Sequence, residues 1–286
     1  RAKSGQGRKV AVVGAGPAGM GCAHDLALLG FNVTVFEAQS MPGGMLTLGI
    51  PQYRLPREII HAEIQAIINL GVEIRLNSRL GRDFSLASLT QDGFEAIFLA
   101  IGAHKSRELN IEGVELDGTF RAIDYLLNIN LGYKVDLHGK VVVIGGGNVA
   151  FDVARSVVRQ AGEIDDMSPE ALRKILREAT STLDQLTRGE KEGPEDLKVA
   201  LDVARQALRA GVREVHMYCL ESLEEMPATK AEIDEAVEEG VKLHTRWGPK
   251  RILGKDGRVT GIELIKVGSV FDQNRRFNPT FLEGTE

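Results

Sequence analysis

The chain has 286 residues, enough for two domains at about 100–200 residues each. Hydrophobic residues make up 43% and charged residues 26%, which excludes a disordered or fibrous protein. The net charge of −5 disfavours a nucleic-acid partner, and no apolar run approaches the ~18 residues that cross a bilayer.

The N-terminal stretch has no apolar signal-peptide core, and Cys22 and Cys219 lie too far apart to form a CxxC pair or a four-thiolate cluster site. A cytoplasmic protein is expected. The chain opens at Arg1 without Met and stops at Glu286 after a strand-like segment, so it reads as part of a longer polypeptide.

Residues 9–13 predict a short buried strand that runs into Gly14-Ala-Gly-Pro-Ala-Gly19. An apolar-spaced helix over about 17–29, Gly30 as its end and a second strand over 32–37 complete a βαβ unit. Gly43-Gly44 opens an irregular loop to Pro56. A helix over 56–70 carries Ile60, Ile64, Ile67 and Ile68 on one face, and strands follow at 72–76 and 96–101.

The pattern restarts at 140 with a strand to Ile144 and Gly145-Gly-Gly-Asn-Val-Ala150 opening another helix. Internal repetition of this kind carries more weight than either copy alone. Residues 161–194 then predict a helix capped by Ser168 and Pro169, and Pro194 starts a second amphipathic helix to about 210. This insertion either packs on the nucleotide unit or docks a partner. The strand that completes the second unit is 214–220, followed by a helix near 229–239, a strand over 241–247 and a hairpin turning at Lys255-Asp256-Gly257. Strands alternating with helices argue an α/β fold with two parallel sheets.

In Gly14-x-Gly16-x-x-Gly19 the first glycine permits the tight turn, the second lets a pyrophosphate touch backbone, and the third lets helix pack on strand. The helix start supplies free N–H groups and a positive dipole end to phosphate. Glu37, 23 residues beyond Gly14, is placed to accept from ribose hydroxyls. Gly145-x-Gly147-x-x-Ala150 repeats the arrangement, and Glu221 after the delayed second strand fills the acidic role. A carboxylate there repels a 2′-phosphate, so NADH is expected over NADPH. Two such turns imply two dinucleotides, most simply a flavin and a nicotinamide that exchange hydride.

Several segments resemble a known family. Gly14–Gly19, Met41-Pro-Gly-Gly-Met-Leu46, Gly49-Ile-Pro-Gln-Tyr-Arg-Leu-Pro56, Leu99-Ala-Ile-Gly102, Gly145–Asp152 and Glu224-Glu-Met-Pro-Ala228 look like the flavoprotein half of glutamate synthase small subunits. The flavin region of dihydropyrimidine dehydrogenase is similar too. The resemblance implies two Rossmann-like dinucleotide-binding domains in a pyridine nucleotide-disulfide oxidoreductase-like architecture. It further implies FAD in the first unit, NAD(H) or NADP(H) in the second, and electrons passing to the iron–sulfur clusters of a partner subunit in a hetero-oligomer.

By that resemblance Gly14, Gly16, Pro17, Ala18, Gly19 and Glu37 hold the FAD pyrophosphate and ribose. Gly43, Gly44, Met45, Arg54 and Gly102 border the flavin, and Gly145, Gly146, Gly147, Asn148 and Val149 hold the nicotinamide nucleotide; Glu221 joins them on its own position after the second strand, not by the resemblance. The domains expected are 1–125 for FAD, 126–267 for NAD(P)H with a helical insertion at about 161–210, and 268–286 as the start of a return to the FAD domain. NADPH-using members tend to carry an Arg pair where this chain has Leu220-Glu221. The family's Cys-rich cluster domain and its last FAD segment are not within these residues, so clusters are expected upstream or on a partner.

The six histidines show no metal-ligand spacing, and Cys219 reads as a small core hydrophobe. Hydride transfer between stacked rings needs orientation rather than an acid or base, so no catalytic side chain is assigned. A flavin monooxygenase and a non-enzymatic dinucleotide-binding scaffold or redox sensor are the alternatives.

Overall fold

The computed structural model describes residues 5, 7–104, 109–165 and 212–286. The chain divides into two compact units, Arg1–Arg107 with Ile123–Lys134, and Glu108–Ala122 with Val135–Glu286. The expected helices between 166 and 211 lie outside the described residues, Ser168 and Pro169 included.

The first unit is built on four parallel strands in the order β3-β2-β1-β4: β1 (Lys9–Val13), β2 (Asn32–Phe36), β3 (Glu73–Arg75) and β4 (Ala96–Leu99). Strand β1 is apolar on both faces because both are covered. Val12 joins Ala23, Ala27, Ile60 and Ile64 in one core, whereas Ala11 and Val13 pack with Phe36, Leu89 and Phe94 in another. Helix α1 (Pro17–Leu28) buries Gly19, Met20, Ala23 and Ala27, mostly small residues that allow close approach to the strands. Helices α2 (Met45–Leu48) and α3 (Arg57–Ile68) follow.

Helix α4 (Leu86–Gln91) has no counterpart in the sequence reading. It is started by a capping box in which Ser85 and Ser88 each accept from the other's backbone N–H, at 3.0 Å both ways. Helix α5 (Ala122–Asn130) returns to this unit: Asn130 donates its side-chain amide to the Leu48 carbonyl at 2.9 Å.

In the second unit β5 (Gly139–Ile144), β6 (Val212–Tyr218) and β7 (Lys242–His244) form a parallel sheet with β6 in the middle. Helices α6 (Asn148–Asp165) and α7 (Lys230–Glu238) lie side by side and are tied by Arg155, whose buried guanidinium pairs with Glu232, Glu235 and Glu239. The strand expected over 241–247 ends earlier, because Arg246 adopts a left-handed φ of 62° and turns the chain. Trp247 then opens β8 (Trp247–Lys255), which pairs antiparallel with β9 (Arg258–Phe271). Asp256 and Gly257, both at positive φ, make the hairpin turn. Residues 268–286 carry β10 (Phe277–Phe281), which pairs with β9.

Candidate functional site

The two glycine turns sit at the carboxyl ends of their parallel sheets, where ligands of open α/β folds bind. Each is fixed in the same way. Gly14 donates its N–H to the Phe36 carbonyl at 2.8 Å, and Gly145 donates to the Tyr218 carbonyl at 2.9 Å, so each turn is tied to the neighbouring strand.

The glycines of each turn differ in why they are glycine. Gly14 has φ 109°, and a Cβ there would strike the Ala100 carbonyl oxygen. A Cβ on Gly19 would strike the Gly14 carbonyl, which is the close helix–strand contact expected of the third position. Gly16 is different: its φ is an ordinary −74°, and a Cβ would meet nothing nearer than the Gly44 Cα at 3.9 Å. The second turn repeats this. Gly145 has φ 138°, and Gly146 is pressed against Glu221. A Cβ on Gly147 would find only the Pro227 Cγ, at 3.9 Å. Packing among the described residues requires glycine at neither Gly16 nor Gly147. Space is left beside bare backbone at both.

Helix α1 begins at Gly16 with no side-chain cap and Pro17 at its first position, and Met20 makes the first return bond to the Gly16 carbonyl at 2.9 Å. Helix α6 begins at Asn148, with Ala150 and Phe151 donating back to the Gly147 carbonyl. Neither first turn carries an acidic side chain, so no carboxylate of the helix itself offsets the positive dipole end.

Glu37 directly follows β2 and is buried. One of its oxygens accepts from the Ala15 N–H at 2.7 Å and the other from the Gln39 N–H at 2.8 Å, which fixes its carboxylate under the first turn. Gly43 donates to the Ala15 carbonyl at 2.8 Å, and a Cβ on Gly44 would lie 2.7 Å from the Gly16 Cα. The Gly43–Met45 segment thus touches the first turn directly. Gly102, at φ 72°, follows the Ala100 carbonyl that faces Gly14. Arg54 is exposed on the turn after Pro51.

Glu221 lies three residues beyond the end of β6, beside the second turn. Its Oε2 would stand 2.8 Å from a Cβ on Gly146. Beyond it the chain turns sharply: Glu225 Oε2 accepts from the Ser222 N–H at 3.0 Å and from Arg246 Nη2 at 2.8 Å. The Arg246 N–H donates to the Glu221 carbonyl at 3.2 Å, which brings the end of β7 beside this loop. Cys219 is buried beneath, and burial first and Glu221 second push its thiol up to about 12, so it is inert. Among the described residues no His, Cys, Asp and Glu cluster could hold a metal ion.

Residues 8–192 match the model of the pyridine nucleotide-disulphide oxidoreductases. The chain belongs to this family. It is 37% identical, over 98% of its length, to the NADP(+)-dependent formate dehydrogenase subunit beta of Moorella thermoacetica, and covers 33% of that protein. It is 31% identical, again over 98% of its length, to the glutamate synthase [NADPH] small chain of Halomonas elongata, covering 50% of it. The chain therefore spans a third to a half of these curated relatives. Among solved structures, Mycobacterium tuberculosis FprA in complex with NADPH superposes with a TM-score of 0.70 at 20% identity, over 98% of this chain and 68% of that one. That likeness establishes the fold.

Two arginines of this pyridine nucleotide-disulphide oxidoreductase escaped the sequence reading. Arg57 donates to the Leu46 carbonyl at 3.0 Å and to the Ile50 carbonyl and Asn130 Oδ1 at 2.9 Å each, clamping the loop that carries Gly43–Met45. Burial pulls its pKa down. Arg246 is the other. No motif marks either one.

Proposed function

We propose that this chain is the flavoprotein part of an NAD(P)H:acceptor oxidoreductase, with FAD at the first turn and the nicotinamide nucleotide at the second. One observation carries the reading: Gly16 and Gly147 have no side chain although, among the described residues, nothing beyond their chain neighbours stands closer than 3.9 Å to where a Cβ would be. A pyrophosphate lying on backbone accounts for both. A bound flavin and a bound nicotinamide supply hydride chemistry between themselves.

The protein's part is to bind and orient. The open N–H groups at the starts of α1 and α6 donate to phosphate oxygens. Glu37 and Glu221 accept from ribose hydroxyls, and Gly43, Gly44 and Met45 border the flavin side of the first turn. The names of the relatives, a subunit beta and a small chain, support placing this chain in a hetero-oligomer, where electrons leave for iron–sulfur clusters of a partner subunit. Both cysteines are free thiols, in keeping with a reducing cytoplasm, and no described helix is long and apolar enough to cross a membrane.

The choice between NADH and NADPH is contested within the site. Glu221 favours NADH, whereas the relatives' names carry NADP(+) or NADPH, and Arg246 offers a positive charge beside the same loop. The test is spectroscopic. Protein purified with its natural complement of flavin should be yellow, and its flavin absorbance should bleach anaerobically on adding NADH or NADPH. A protein that binds no flavin, or whose flavin neither nucleotide bleaches, overturns the proposal.

A further inference from the structure

The Glu225 carboxylate sits on two donors at once: the Ser222 backbone N–H and the Arg246 guanidinium. Ser222 is the residue directly after Glu221, so this donor pair flanks the station where the ribose of a bound nucleotide belongs. A backbone N–H and a guanidinium are what a phosphate monoester takes as ligands. The second guanidinium nitrogen, Nη1, is buried and has no hydrogen-bond partner among the described residues. An unpaired buried donor is costly, and a phosphate with several acceptor oxygens could satisfy it while Nη2 keeps its bond. Arg246 is also held in place from below: its N–H bonds the Glu221 carbonyl, and its left-handed φ of 62° turns it out of β7.

We infer that Ser222 and Arg246 form a 2′-phosphate subsite, and that Glu225 occupies it as an internal stand-in for that phosphate until a 2′-phosphorylated nucleotide displaces it. The inference rests on placing the nicotinamide nucleotide at the second turn. Such a subsite would let a chain with Glu221 beside the ribose take a 2′-phosphorylated nucleotide. Glu221 weakens the phosphate, Arg246 attracts it, and Glu225 competes for the same donors. Ser222 first and Arg246 after it hold the Glu225 carboxyl below its ordinary value of 4.5, so the competing group is an anion at neutral pH.

The full chain is titrated calorimetrically with adenosine 2′,5′-bisphosphate and, separately, with 5′-AMP, which lacks only the 2′-phosphate. Arg246→Gln should weaken the bisphosphate by about tenfold and 5′-AMP by less than about twofold, and Arg246→Lys should restore part of the loss. Glu225→Gln should tighten the bisphosphate by several-fold and leave 5′-AMP unchanged. If Arg246→Gln does not fold, the Glu225→Gln titration decides alone. Equal shifts for the two probes, or no shift for either, overturn the subsite while leaving the second turn as a nucleotide site. If the unmodified protein binds neither probe, or Gly147→Val leaves 5′-AMP binding intact, the nucleotide is not at the second turn and the inference falls with that reading.

Discussion

Glu221 lies beside Gly146 of the second glycine turn, its carboxylate oxygen 2.8 Å from where a Cβ on Gly146 would stand. The placement puts a negative charge beside the turn. A side chain at Gly146 would have to displace the flexible end of Glu221, whereas Gly147 is the position whose bare backbone faces open space among the described residues.

That charge should govern the choice of nucleotide. Replacing Glu221 by Gln removes the repulsion of a 2′-phosphate but keeps an acceptor for a ribose hydroxyl. The ratio of kcat/KM for NADPH over NADH should rise by about tenfold, the equivalent of about 1.4 kcal/mol. Steady-state kinetics with both nucleotides measure it. A ratio that stays put places Glu221 away from the 2′ position.

The glycines of the first turn should separate into two behaviours. Gly16→Val puts its Cβ 3.9 Å from the nearest atom of the described residues, the Gly44 Cα, so the protein should melt close to the unmodified Tm and purify without flavin. Gly19→Ala drives a methyl group into the Gly14 carbonyl and should cost about 1–3 kcal/mol of stability by overpacking. Thermal melts and the flavin-to-protein absorbance ratio score both variants. Flavin retained at one per chain in Gly16→Val would remove the first turn from the FAD site.

How much of this was readable from the amino-acid order varies with the kind of contact. The turns and the helices they open were, because each follows from fixed spacing at a strand-to-helix junction, and so was the place of Glu37 directly after β2. Helix α4 was not: its start is a Ser85–Ser88 box, and Ser88 stands where an acidic residue would have signalled one. The early end of β7 was hidden because it depends on a single left-handed residue, Arg246, for which no glycine gave warning. The expectation of NADH weighed Glu221 by itself. Strand β7 brings Arg246 beside it from 25 residues away, a pairing that only the sheet order reveals.

Arg57 provides a test of the loop that borders the first turn. Its guanidinium reaches two carbonyls of the 46–50 segment and Asn130 on α5, three acceptors that one planar fork can serve together. Arg57→Lys keeps the charge and loses the fork. Flavin should dissociate more readily, with a loss of about 1.5–3 kcal/mol, the worth of one hydrogen bond from a charged group, while α1 and its turn stay intact. Flavin release under dilution, followed by its fluorescence, is the readout. Unchanged release would mean the 43–45 segment does not border the flavin.

The last prediction concerns the tie between α6 and α7. The Arg155 side chain is 4% exposed and pairs with Glu232, Glu235 and Glu239 at 3.1, 2.7 and 2.8 Å, and Glu239 also pairs with Arg159. Removing one partner of a buried pair strands the others, so Arg155→Ala should cost about 3–5 kcal/mol. Burial pushes the Glu239 carboxyl upward, but hydrogen bonds from Arg155 and Arg159 outweigh it and hold the group below its ordinary 4.5. A carboxylate lowered on folding stabilises the protein above its unfolded pKa, and that contribution is lost as pH falls through the folded value. The unmodified protein should therefore lose stability as pH drops below about 4.5, and Arg155→Ala, already destabilised at neutral pH, should lose less over the same interval. Denaturant melts of both proteins between neutral pH and pH 3 measure the two slopes. Parallel slopes would show that the Arg155 network does not bear on Glu239, and that α6, whose start forms the second turn, is anchored to α7 by apolar packing instead.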